Sequence, residues 1–213
     1  MTHLAISALT DVFLACLVFF LAGLSFRPDV ERGSPAWIWG LYLAASGVAP
    51  MLGAVGHGFL EPIDHPAALP LQFATRAALA ISIFLVLAAT AGQFMPVRWR
   101  RIALAAGLAA LIVNLWSVWT ADNLLPLIVT NAATMLLALA LHLRGLRSGL
   151  GSVAMCVGIV MMIAASLMVP IGGDGVAGLG LYGTVHVALM PTVFVLFLGG
   201  RRLRRTRVPA LEA

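Results

Sequence analysis

The sequence predicts an all-α, polytopic membrane protein with seven transmembrane helices, its N-terminus outside and its C-terminus cytoplasmic. Three observations carry this expectation. Apolar residues make up 62% of the chain and charged residues 10%, with a mean hydropathy of +1.03, far from the balance of soluble globular domains. Apolar stretches of about 20 residues, enough to cross ~30 Å of hydrocarbon, recur seven times. Outside those stretches the arginines all fall at one membrane face if the count is seven, as cytoplasmic loops require.

The first segment, Leu4 to Ser25, follows a start without a basic region and carries Asp11 in its apolar centre. It therefore reads as a spanning helix and not as a signal peptide. Arg27 and Arg32 follow it, and the second segment, Ala36 to Gly58, ends in the small residues Gly53, Ala54, Gly56 and Gly58, which suit close helix packing. The longest loop, Phe59 to Leu71, holds Glu61 and Asp64 and leads to the third segment, Leu71 to Met95. Arg98, Arg100 and Arg101 precede the fourth, Ile102 to Trp119, and Asp122 precedes the fifth, Leu124 to Leu143. Arg144 and Arg147 come next, then the sixth, Leu150 to Val169, and the flexible Gly172-Gly173-Asp174-Gly175 loop. The seventh, Gly178 to Leu198, ends at Arg201, Arg202, Arg204, Arg205 and Arg207. Residues 1–200 thus read as one seven-helix domain and 201–213 as a short basic cytoplasmic tail. Trp37, Trp39, Trp116 and Trp119 read as interface anchors.

Several functional classes fall away. A pI near 10.6 follows from cytoplasmic anchors beside anionic lipid, so membrane lipids are the expected partners and no nucleic acid is. Cys16 and Cys156 fall mid-membrane, where thiols behave as small apolar groups. All 13 basic residues are arginine, and without lysine no retinal Schiff base can form. Period-2 alternation, the mark of a membrane barrel, is absent. The expected location is the inner (plasma) membrane, multi-pass.

The remaining polar residues form a layer. Asp11, Asn114, Asn131 and His186 lie ~8 to 12 Å below the outer face at 1.5 Å per helical residue, with His57 and Arg76 shallower. The inner halves offer only hydroxyls that can bond their own backbone, and His142 is expected to be solvated at the cytoplasmic interface. Polar groups in hydrocarbon are expensive and mark sites, and a layer confined to the outer half describes a cup, not a conduit. In a closed ring of seven helices the first and last would be neighbours. There His57 and His186, with Asp11 or His3 as third group, form a zinc-type set leaving one position for water. The same groups also read as interhelical polar glue. Haem ligation by His57 and His186 and a non-catalytic, receptor-like lipid-binding protein are the other readings.

Seven helices, a histidine closing the second and another within the seventh resemble the CREST superfamily of membrane hydrolases, the alkaline ceramidase and progestin and adipoQ receptor type. That family carries S-x-x-x-H on helix two, an Asp opening helix three and H-x-x-x-H on helix seven. Here His57 and His186 match, while Gly53, Thr75-Arg76 and Met190 occupy the other positions. The resemblance implies zinc between helices two and seven and hydrolysis of lipid amides, with Asp11 or His3 replacing the missing ligand. Thr10-Asp11, His57-Gly58-Phe59 and His186 are also similar to an uncharacterised group of bacterial seven-helix proteins. The expectation is therefore a metal-dependent hydrolase of lipid amides or esters. His57, His186 and Asp11 hold the metal, Arg76 or Asn131 stabilises the oxyanion, and an acyl chain enters sideways from the bilayer.

Overall fold

In the computed structural model, which describes residues 2–121 and 123–206, the chain folds into seven α-helices. They are α1 (His3–Gly23), α2 (Pro35–Val55), α3 (Ala68–Phe94), α4 (Val97–Ala121), α5 (Leu125–Gly145), α6 (Val153–Ile171) and α7 (Gly180–Gly200). Six are long and apolar enough to cross a membrane, and α6 carries a shorter apolar stretch, Val153–Val169. Asp122, Arg207 and the rest of the tail beyond it lie outside the described residues.

Local chemistry sets the helix starts. The hydroxyls of Thr2, Ser34 and Ser152 accept from the Ala5, Trp37 and Met155 N–H groups at 3.2, 3.2 and 3.3 Å, each satisfying an orphan donor of the first turn. Pro35 and Pro126 occupy first-turn positions of α2 and α5, where no N–H is needed. The segment expected as the longest loop is largely coiled instead. A π-helical turn, Gly56–Leu60, and a 3-10 turn, Glu61–Ile63, extend α2, so only residues 64–67 separate it from α3.

The helices do not close as a ring of seven. Contacts run from α1 through α2, α3, α5, α6 and α7 and back to α1, while α4 packs outside this ring on α3 and, more sparsely, on α5. Met95 and Pro96 alone link α3 to α4, so α4 must fold back against α3. It leaves Ile112, Trp116 and Trp119 exposed to the surroundings. The expected adjacency of first and last helices does hold.

At the arginine-bearing end the ring is packed solid. Leu21, Leu43, Met155, Ile159 and Leu196 are fully buried. The backbones of α6 and α7 approach so closely that a Cβ on Gly199 would stand 2.7 Å from the Met155 nitrogen. Two expectations fail in this region. Trp39 is no interface anchor: it is 3% exposed and its ring lies 4.6 Å from that of Tyr42. His142 is not solvated but 2% exposed, with Phe94 edge-on at 4.8 Å. The α5–α6 turn folds over it, since a Cβ on Gly151 would overlap the His142 carbonyl.

The described part of the basic tail is woven into the bundle. The Glu31 N–H donates to the Arg205 carbonyl at 2.8 Å and the Ala36 N–H to that of Arg204 at 3.1 Å. Buried Gln93 accepts from the Arg204 N–H and donates to the Leu150 carbonyl, both at 3.0 Å, and the Arg204 guanidinium donates to the Gln93 carbonyl. Toward the other end the ring widens around a cavity of about 400 Å3. Every ring helix supplies wall residues, among them Leu14, Pro50, Ile83, Asn131, Met162 and Leu189.

Candidate functional site

One helical turn beyond the cavity, α1, the π-helical turn that extends α2, and α7 bring Asp11, His57 and His186 together. The Asp11 carboxylate is 2% exposed. Its Oδ1 lies 3.2 Å from His186 Nε2 and its Oδ2 3.9 Å from His57 Nε2. Oδ2 is buried without a hydrogen-bond partner. A buried acceptor left unmatched is costly, and here it faces a histidine nitrogen.

The outer ring nitrogens have partners of their own. Thr10 Oγ1 donates its single proton within α1, the Ser7 and Ile6 carbonyls lying at 2.9 and 3.0 Å. It therefore accepts from His186 Nδ1 at 3.0 Å. His57 Nδ1 faces Glu61 Oε2 at 2.9 Å, and a carboxylate accepts. An imidazole that donates through Nδ1 and is neutral presents an Nε2 lone pair, the arrangement of metal-ligating histidines whose outer partner holds the other nitrogen. Tyr182 covers the group, its ring stacked on His57 at 6.1 Å between centroids.

Among the described residues no three His, Cys, Asp or Glu side chains form a ready-made metal-binding group. Bonds of ~2.0 to 2.1 Å in a tetrahedral site put neighbouring ligand atoms about 3.3 Å apart; His186 Nε2 stands 3.2 Å from Oδ1 and His57 Nε2 3.9 Å from Oδ2, so the two histidines face different oxygens of the carboxylate. Two imidazoles and a carboxylate with an unmatched oxygen have the donor chemistry of a zinc-type site.

Residues 6–205 match the profile of a family of unknown function, DUF6962. The chain belongs to the DUF6962 family. No curated protein and no solved structure matches it. In this DUF6962 chain the expected polar layer divides. His3 is not the third member of the cluster: its imidazole packs over Gly180, whose added Cβ would stand 2.9 Å from His3 Nδ1. Asn131 lines the cavity wall, and Arg76 is half-buried on α3 and engaged there. Asn114 lies apart from the cluster, between α3, α4 and α5, in a small void with Thr130 and Thr134.

Glu61, Thr10 and Tyr182 complete the site of the DUF6962 protein, and Glu61 was missed at the level of sequence. The signal was present: His57 and Glu61 are four residues apart, the spacing that puts side chains on one helical face. Reading the segment after Gly58 as loop hid it. Gly53 leaves room for the carboxylate, since a Cβ there would stand 2.8 Å from Asp11 Oδ2. The Asp11 carboxylate occupies the space that a side chain at position 53 needs.

Proposed function

We propose that this protein is a metal-dependent hydrolase of lipid amides or esters, with Asp11, His57 and His186 holding the ion. The observation that carries the reading is the convergence of two Nε2 atoms on one buried carboxylate, each imidazole being held from behind by Glu61 or Thr10. Both nitrogens face a single carboxylate and not one another across a planar gap, which favours an ion over haem. A bound divalent ion supplies Lewis-acid activation of water and of a carbonyl.

The chain's own residues supply the rest. The apolar cavity, beginning one turn inward at Leu14 and Leu189, takes an acyl chain. It is bordered by exposed Ile128 of α5 and Val169 of α6, so the chain enters sideways from the bilayer between these helices. Asn131 on the cavity wall and Arg76 on α3 provide polar and positive groups for the developing charge on the carbonyl oxygen. We further infer that all seven helices span the inner membrane with the N-terminus outside, because the arginine-bearing loops then lie in the cytoplasm.

The test is elemental analysis of the detergent-purified protein, with hydrolysis of a fluorescent acyl-amide lipid and its ester counterpart. The wild type is expected to hold stoichiometric metal and release the labelled acid. His57→Ala and His186→Ala lose both, whereas His65→Ala, altered in the exposed turn beyond the site, keeps both. A His57→Ala, His186→Ala double variant with wild-type metal and turnover sinks the hypothesis. Metal-free protein that binds the lipid without turnover leaves a lipid-binding receptor in its place.

A further inference from the structure

We propose a second binding site, for a phosphate-bearing anion, in the pocket between the start of α6 and the turn that follows α7. It lies at the arginine-bearing end of the bundle and does not depend on the metal reading. The pocket has a volume of about 830 Å3. Arg201, Arg202 and Arg205 form one wall; Gly151 and Ser152 with the first turn of α6 form the other; Leu146 and Leu198 border it. No Asp or Glu is among its lining residues.

Three features give this pocket the chemistry of a phosphate site. Guanidinium groups bind phosphate through parallel, charge-assisted hydrogen bonds, and two of the three here are open to a ligand. All three are exposed, but Arg205 is paired with Asp29 at 2.5 Å, a carboxylate that also meets Arg27 at 3.5 Å, and that carboxylate meets neither Arg201 nor Arg202. Arg201 is steadied by the Phe197 ring, 6.0 Å from its guanidinium carbon.

The facing wall is backbone. The Ser152 hydroxyl caps the Met155 N–H, which leaves the Val153 and Ala154 N–H groups to be satisfied from outside α6, at the positive end of the helix dipole. A helix start alone is ordinary; opposed across a cavity by three arginines, it makes a two-sided clamp. Gly149, with φ +71 and nothing within 4 Å of an added Cβ, keeps the approach open. Leu146 and Leu198, both exposed, extend the pocket with apolar surface, as the glycerol and first methylenes of a phospholipid require. Basic pockets between helices at a cytoplasmic face hold lipid head groups in this way. The shared ligand chemistry is a phosphate mono- or diester, carried either by an anionic phospholipid or by a soluble phosphate.

Native mass spectrometry of the full chain in neutral detergent distinguishes the sources, titrating phosphatidylglycerol and, separately, inorganic phosphate. R201Q/R202Q removes the two open guanidinium groups and leaves Arg204, which is bound to Gln93, in place. Both altered side chains are exposed, and a thermal unfolding midpoint measured alongside verifies the fold. R98Q/R101Q removes the same charge from the same end without touching the pocket. R201Q/R202Q is expected to weaken one of the two ligands roughly tenfold or more. R98Q/R101Q leaves it within about threefold, because salt screens exposed charges beyond the Debye length. Loss of phosphatidylglycerol binding identifies a lipid head group, and loss of inorganic phosphate binding a soluble anion. Unchanged binding of both ligands in R201Q/R202Q, or an equal loss in R98Q/R101Q, overturns the site.

Discussion

A carboxylate at 2% exposure among apolar helices persists only where charge or hydrogen bonding meets it. At Asp11 that demand falls on two histidines, His186 at 3.2 Å and His57 at 3.9 Å, and on the ion in the proposed reading. Gly53 tests this from the opposite helix. In Gly53→Ala the new methyl, 2.8 Å from Asp11 Oδ2, must displace the carboxylate while leaving both histidines untouched. Metal affinity, read by competition with a chelator, is expected to fall by about 10- to 100-fold, the range seen when support of a ligand is lost. Wild-type affinity in Gly53→Ala removes Asp11 from the ligand set. Glu61→Gln probes the histidine side. It keeps the length of the side chain but takes away the negative charge facing His57 Nδ1, and a loss in the same range is expected. An unchanged affinity makes the Glu61 contact incidental.

Between α6 and α7 the packing depends on absent side chains. An added Cβ on Gly199 meets the Met155 backbone, and one on Gly158 meets Leu196 at 2.7 Å. Backbone cannot rotate aside as a side chain can. Gly199→Ala is therefore expected to destabilise the bundle by about 1 to 3 kcal/mol, the usual cost of overpacking, measured by denaturant unfolding in detergent; no loss means the two helices have room to part. Such lateral relations are what the sequence conceals. Helix existence was legible, because apolar runs report it. Position along the helices also grouped Asp11 with His186, once the first and last helices were expected to touch. Azimuth was not legible. The most apolar stretch of α4 matches those of the ring helices, so it does not announce that the helix stands outside, and Asn114 faces α3 and α5 and not the Asp11 cluster. His142 and Gln93 sit at helix ends that hydropathy reads as wet, yet the α5–α6 turn and the returning tail seal them.

At the scale of the whole molecule the two ends differ in kind: one closed around Leu43 and Leu196, the other open around a cavity leading to Asp11. Which end faces outward decides where a substrate arrives, and the peripheral place of α4 makes the question sharper. If α4 crosses the membrane, three spans separate the turn holding His65 from the turn holding Arg147, and the two turns lie on opposite sides. If α4 merely lies against the ring without crossing, only α3 and α5 intervene, and the turns share a side. Single thiols at these positions read the difference, His65→Cys and Arg147→Cys, with a membrane-impermeant maleimide that does not reach Cys16 or Cys156 within the helices. His65→Cys is expected to label on intact cells and Arg147→Cys only after lysis. Labelling of both from outside removes α4 from the spanning set, and the reverse pattern inverts the protein. Inversion turns the cavity and its carboxylate toward the cytoplasmic leaflet and places the arginine pocket outside, against the distribution of basic loops that seven spans require.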